Sequence, residues 1–208
     1  MEPAAQRHAL LKTFSGHCSR QETCHSELNK LVMVRRDTLV PILILRNKLV
    51  SQENVCQPHH GTWYRELFAP SVTAAHLKPS DLAGYRSGQV YIRNSMHVPP
   101  NPKAVRDMMP TFFDWLRDEQ EPGVRVVLGH FVFVYIHSYM DGNGRTGRLL
   151  MNLRLASGGY PWTVVPVERR KDYFTVLETA SVSHNIVPFA QFLSGLVKKS
   201  LKGKPEAQ

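Results

Sequence analysis

The sequence predicts a mostly α-helical fold with one small β-hairpin, and three observations carry that expectation. Val124 to Tyr139 is a nearly continuous apolar run, longer than strands commonly are, and reads as a central helix buried on most sides. Val105, Met108, Met109, Phe112, Phe113 and Leu116 recur at helical spacing between Pro102 and Arg117, forming one apolar stripe suited to packing. Gln89-Val-Tyr-Ile-Arg93 has strand composition, and with Gly88 before it and Pro99-Pro100 closing it off, it reads as a short exposed hairpin.

The other elements follow from the same signals. Glu22 to Val40 suits a helix that Pro41 ends or kinks, and Leu43 to Val50 continues as a second helical piece. Gln57-Pro-His-His-Gly61 reads as a connector. Trp63, Leu67 and Phe68 fall at helical spacing, and Pro79-Ser80-Asp81 with Gly84 marks the exit into a loop. Pro122-Gly123 breaks the chain before the central helix. Further helices are expected at about Gly144 to Ala156, Glu168 to Val182 and Pro188 to Lys202, with Gly158-Gly159-Tyr160-Pro161 as an interruption. No internal repeat divides the chain. The division expected is an N-terminal helical extension over 1–61, a catalytic domain over 62–202 and a solvated tail over 203–208.

Composition narrows the function classes. With 208 residues, 42% hydrophobic and 21% charged, the chain can bury a real core and is not disordered throughout. Its net charge of +9 comes from scattered basic residues, among them Arg35, Arg36, Arg65, Arg169, Arg170, Lys171, Lys198 and Lys199. No basic-aromatic sheet signature or zinc-finger spacing accompanies them, so a nucleotide-phosphate site is favoured over direct nucleic-acid binding. Cys18, Cys24 and Cys56 are odd in number and form no CxxC pair, which argues against a disulfide framework and suits a reducing cytoplasm. The first residues carry Glu2 and Arg7 without an apolar signal core, and Leu39 to Leu45 is too short to span a bilayer. The expectation is a soluble cytoplasmic protein with no membrane partner.

The chemistry is concentrated in His137-Ser-Tyr-Met-Asp141-Gly-Asn143-Gly-Arg145-Thr-Gly-Arg148. Gly142 and Gly144 permit a turn whose N–H groups converge, and a helix N-terminus adds positive potential, so phosphate oxygens can be cradled there. Arg145 and Arg148 share a helix face and offer forked donors to one polyphosphate. Asp141 supplies a hard oxygen for Mg²⁺, which takes few protein carboxylates and relies on substrate phosphates. His137 can accept a proton near neutral pH. Singly, each residue has an ordinary structural use: a packed histidine, a turn, solvated arginines. The ordered set within one short segment is what points to a site.

Three rival motifs fail on context. Gly142-Asn-Gly144-Arg-Thr-Gly147 matches the dinucleotide fingerprint, and Glu168 lies about twenty residues beyond, yet the preceding run is too long for a strand and no βαβ units surround it. A P-loop would need Lys where Arg148 stands and Ser or Thr at Leu149. An EF-hand beginning at Asp141 would place Thr146 and Asn152 where glycine and glutamate are required.

The segment resembles the signature of the Fic family, H-x-F-x-D/E-G-N-G-R-x-x-R, matching it at His137, Asp141, Gly142, Asn143, Gly144, Arg145 and Arg148. Tyr139 replaces the usual Phe, and Ser138 stands where Pro is common. The resemblance extends from about Trp63 to Val197 and implies a Fic-type helical bundle with a small β-hairpin flap over Val90 to His97. It also implies a protein adenylyltransferase: His137 deprotonates a Ser, Thr or Tyr hydroxyl of a target protein, which attacks the α-phosphate of ATP. Asp141 then holds Mg²⁺, Gly142, Asn143, Gly144 and the turn amides bind phosphate oxygens, and Arg145 and Arg148 bind the β/γ end. Val90, Tyr91 and Ile92 would dock an extended target segment. The target's identity and any homo-oligomer stay open.

Other chemistries on this scaffold are a Doc-like kinase, phosphocholine transfer, de-AMPylation or a silent binding module. The arginine pair disfavours the first, and intact His137 and Asp141 disfavour the last. Thr23-Cys-His-Ser-Glu27 partly matches the family's inhibitory helix, but Leu28 breaks the pattern; chance spacing on a helical surface is the favoured explanation, and the presence of such a helix stays open.

Overall fold

The computed structural model describes residues 56–74 and 78–203. The expected helices over Glu22–Val40 and Leu43–Val50, the Thr23–Glu27 match, Cys18, Cys24 and the last five residues lie outside them. Within the described residues the fold is a bundle of six α-helices: α1 (Cys56–Thr73), α2 (Pro102–Asp118), α3 (Pro122–Ile136), α4 (Asn143–Ser157), α5 (Arg170–Val182) and α6 (Val187–Leu201). Short 3₁₀ turns at Pro79–Leu82 and Val167–Arg169 link α1 to the long connection before α2 and open α5.

Local chemistry sets the helix starts. Pro102, Pro122 and Pro188 each sit in a first turn, where a missing N–H costs nothing. The Asn101 side chain accepts from Lys103 N and Ala104 N and so caps α2. The same tolerance explains a departure from expectation. Gln57–Gly61, read as a connector, is the opening of α1, because Pro58 falls early enough in the helix to leave its hydrogen bonding intact.

The central apolar run is a helix wedged between two cores. On one side Val124, Val126 and Val127 of α3 meet Met151 and Leu155 of α4, Tyr173 and Leu177 of α5, and Phe189 and Leu193 of α6. On the other, Phe133 and Ile136 meet Trp63, Tyr64 and Phe68 of α1 and the Val105, Met109, Phe112, Phe113 and Leu116 stripe of α2. Burial on both faces is why the run shows no clean amphipathic period. Close approach of α3 and α4 depends on Gly147, where an added Cβ would lie 2.9 Å from Val134 Cγ2 and 3.3 Å from the His130 ring.

The β-hairpin is absent: residues 83–101 form no strand among the described residues. Pro99 and Pro100 have no N–H to donate to a ladder, and the Gln89 Nε2 amide, not a paired backbone, reaches Pro99 O at 2.9 Å. What remains of the expected flap is a turn, Ser95 N to Ile92 O at 3.2 Å, with Asn94 left-handed at φ 59°. Side chains pin it. Ser95 Oγ–H donates to Glu178 Oε2 at 2.5 Å and Met96 N–H to Glu178 Oε1 at 2.7 Å, fastening the turn to α5. The buried His97 donates from Nε2 to Tyr135 O at 2.9 Å, fastening it to α3.

Candidate active site

The site forms where α3 ends and α4 begins. His137 caps α3 in the left-handed region, at φ 53° and ψ 57°, while its N–H still donates to Phe133 O. A non-glycine residue held there costs on the order of 1–2 kcal/mol, so the surroundings must impose it. Nδ1 of His137 lies 3.2 Å from Val134 O. A carbonyl only accepts, so the proton sits on Nδ1 and the Nε2 lone pair is left for a substrate proton. Burial, partly opposed by the Val134 contact, holds its pKa below the usual imidazole range.

The turn that follows is rigid. Asn143 is buried and spans it, accepting from Tyr139 N at 2.9 Å and donating from Nδ2 to Tyr139 O at 2.8 Å. Its side chain therefore braces the turn. Gly142 begins α4 at φ 81°, and an added Cβ would fall 2.1 Å from Phe68 Cζ, so both conformation and space demand glycine. The first amides of α4, from Asn143 onward, have no intrahelical acceptors and carry the positive end of the helix dipole.

Phe68 is a hub. Arg145 stacks its guanidinium 4.1 Å from the ring centroid and donates to Asp141 Oδ2 at 3.1 Å, leaving that carboxylate largely exposed. Arg148 has a different neighbour. It lies near the Tyr173 hydroxyl of α5, close enough for its charge to act on that group, and its Nη1 would be 3.4 Å from a Cβ at Gly144. The two arginines thus rest against different neighbours, Arg145 against Phe68 of α1 and Arg148 near Tyr173 of α5. A single exposed carboxylate beside the amino end of α4 fits Mg²⁺, which takes few protein carboxylates and completes its octahedron with water and substrate oxygens.

Tyr139, the variant position of the motif, is buried and stacks on Tyr64 with centroids 3.6 Å apart and planes 4° off parallel. Tyr64 donates to the Asp141 carbonyl at 3.1 Å, tying α1 to the turn. Of the residues the motif singled out, His137, Asp141, Gly142, Asn143, Gly144, Arg145 and Arg148 gather here. Val90, Tyr91 and Ile92 lie on the irregular connection, with Tyr91 exposed. Sequence reasoning missed Phe68, Tyr64, Tyr173 and Arg86, which come from distant segments. Arg86 is buried and donates from Nε to His137 O at 2.7 Å; no local pattern marks it.

The profile of the Fic/DOC family matches residues 51–155, half of the chain, from before α1 into the end of α4. The protein adenylyltransferase Fic of Drosophila willistoni is 38% identical over 130 residues, covering 61% of this chain and 26% of that protein. Its Drosophila mojavensis counterpart is 37% identical over 130 residues, covering 25% of that protein. The chain therefore spans about a quarter of the length of the curated relatives it matches. Among solved structures, Fic-1 from C. elegans superposes with a TM-score of 0.68 at 22% identity, covering 98% of this chain and 63% of that one. A Fic domain containing signaling protein from Bacteroides thetaiotaomicron gives 0.64 at 19% identity, covering 95% and 82%. At such identities these superpositions speak for the helical fold, while the sequence match spans the His137–Arg148 segment itself, and the chain belongs to the Fic/DOC family.

Proposed function

We propose that the chain is a protein adenylyltransferase that moves AMP from ATP to a Ser, Thr or Tyr hydroxyl of another protein. The observation that carries this reading is the placement of His137: Nδ1 lies 3.2 Å from Val134 O, an acceptor that calls for the Nδ1–H tautomer and so leaves Nε2 to take a proton, with the amino end of α4 immediately beyond. A base and an anion cradle side by side are what in-line displacement at phosphorus needs, since that chemistry rests on positioning and charge stabilisation. The target oxygen bonds to the α-phosphorus as its proton passes to His137 Nε2. The bond from that phosphorus to the bridging oxygen breaks, and pyrophosphate leaves.

The amides at Gly142, Asn143 and Gly144 hold phosphate oxygens, with the Asn143 side chain keeping the turn in shape. Arg148 and Arg145 hold the β/γ end, Arg145 giving up its bond to Asp141 when nucleotide enters. Asp141 holds Mg²⁺, which when bound offsets the negative charge of the phosphates. Val90, Tyr91 and Ile92 dock the target on an extended segment, Tyr91 being exposed and the other two half-buried. No described helix is long and apolar enough to cross a membrane. A cytoplasmic location for the chain is part of the proposal, on the odd cysteine count without a CxxC pair.

ATP labelled separately at its α- and γ-phosphates tests the reading on the purified chain with a cell lysate. Label from the α-phosphate is expected to become protein-bound and to be lost in His137→Ala. Transfer of the γ-label would make the chain a kinase, and transfer of neither would make it a binding module.

A further inference from the structure

We infer that Arg86 is a positioning residue that holds His137 in its strained, base-competent conformation and ties it to the segment proposed to dock the target. This rests on His137 being the base.

Arg86 is 2% exposed, although arginine is almost never fully buried without a charged partner. None of the ion pairs among the described residues involves it. Its donors go to three carbonyls. Nε–H donates to His137 O at 2.7 Å, Nη1 to Gly88 O at 3.0 Å, and Nη2 to Pro100 O. Its own backbone N–H donates to Ser138 O at 2.9 Å. The contacts on His137 and Ser138 take up the two carbonyls that follow the left-handed step, where the regular α3 ladder has ended and offers them no donor. The contacts on Gly88 and Pro100 close the two ends of the connection that carries Val90, Tyr91 and Ile92. One planar fork thus spans base and docking segment. An ammonium, which is a point charge on a flexible stem, cannot reproduce it.

Arg86 also bears on the proton affinity of His137. Burial is the main cause of its depressed pKa; Arg86 and His97 lower it further, while the Val134 contact and Asp141 raise it.

Two variants separate this role from a structural one. In Arg86→Lys the charge remains and the fork is lost; in Arg86→Met both go. Each is read by ¹⁵N NMR of histidine-labelled protein, melting temperature, ATP affinity and self-labelling from ATP carrying label at the α-phosphate. Arg86→Lys is expected to keep ATP affinity within about threefold and to lose roughly tenfold to hundredfold in labelling rate, as misplacement of a reacting group does. Its His137 should lose the pure Nδ1–H tautomer while titrating near the parental midpoint. Arg86→Met should in addition shift that midpoint to higher pH.

The inference is overturned if Arg86→Lys folds with the parental His137 tautomer and labelling rate. It is equally overturned if labelling falls only in step with melting temperature and ATP affinity. Should Arg86→Met fail to fold, Arg86→Lys decides by the same measures. Should the parent not label itself, the tautomer and midpoint decide. Labelling that survives in His137→Ala would instead remove the base assignment, and the NMR readout on Arg86 would stand apart from it.

Discussion

At the scale of single residues, substitutions of His137 and of the arginines should part company. His137→Ala removes proton acceptance but leaves the α4 amides, Asp141 and Arg148, so ATP affinity should change little while transfer falls by about 10²–10⁴-fold. Arg148→Ala should weaken ATP binding and transfer together, because a charge-assisted contact is lost from both ground and transition states. Isothermal titration beside single-turnover transfer checks both. Since burial lowers the His137 pKa, the acid limb of the transfer rate should lie below the ordinary imidazole range, leaving the rate flat through neutral pH. Tyr139 carries the opposite lesson. Its hydroxyl is buried with no hydrogen-bond partner among the described residues, so Tyr139→Phe should leave activity intact and raise stability by about 1 kcal/mol in urea unfolding.

At the scale of elements, the meeting of α1 with the turn before α4 can be tested by a double-mutant cycle. Gly142→Ala strains a left-handed position and drives a methyl into the Phe68 ring, for which roughly 2–4 kcal/mol is expected. Phe68→Ala opens the space, so the same glycine substitution should cost clearly less in that background. Equal costs would mean that backbone strain alone makes glycine necessary. The connection between α1 and α2 has its own fastening, Glu178. Glu178→Gln replaces a charged acceptor of Ser95 Oγ–H and Met96 N–H with a neutral amide. Hydrogen exchange at Met96 should quicken, ATP affinity should hold, and target modification should decline.

At the scale of the whole molecule, the packing of α3 between two cores builds acid sensitivity into the fold. His130 is fully buried, bonded through Nε2 to the Tyr173 hydroxyl at 2.8 Å, and burial lowers its pKa from 6.5 to about 4. The folded value lies below the unfolded one, so the unfolded chain takes up the proton first. Stability is present in full above about pH 6.5 and declines as pH falls towards 4. The loss attributable to this group approaches about 3 kcal/mol. Urea unfolding of the parent and His130→Gln at several pH values isolates it: the difference between them should shrink on acidification. A parallel pair of curves would exclude His130 as its source.

What the sequence determined by itself was the helical class, the α2 stripe, the buried central run and the compact motif from His137 to Arg148. These are legible because their causes are local: a helical period, prolines in first turns, glycines at a sharp turn, and functional groups adjacent in the chain. Tertiary structure alone decided the rest. The strand composition at Gln89–Arg93 formed no hairpin, because prolines deprived the opposing arm of donors and Glu178, His97 and Arg86 offered side-chain bonds in place of a ladder. Gln57–Gly61 joined α1 although its composition suggests a connector. Phe68 and Tyr173, the neighbours of Arg145 and Arg148, came from distant segments, and the tautomer of His137 was set by a carbonyl brought into reach by a left-handed residue. Arg86 left no sign in the sequence, since a lone arginine before a loop looks solvated until the fold surrounds it with carbonyls. Contacts between segments far apart in the chain depend on how the helices pack, and packing is not written in any local pattern of residues.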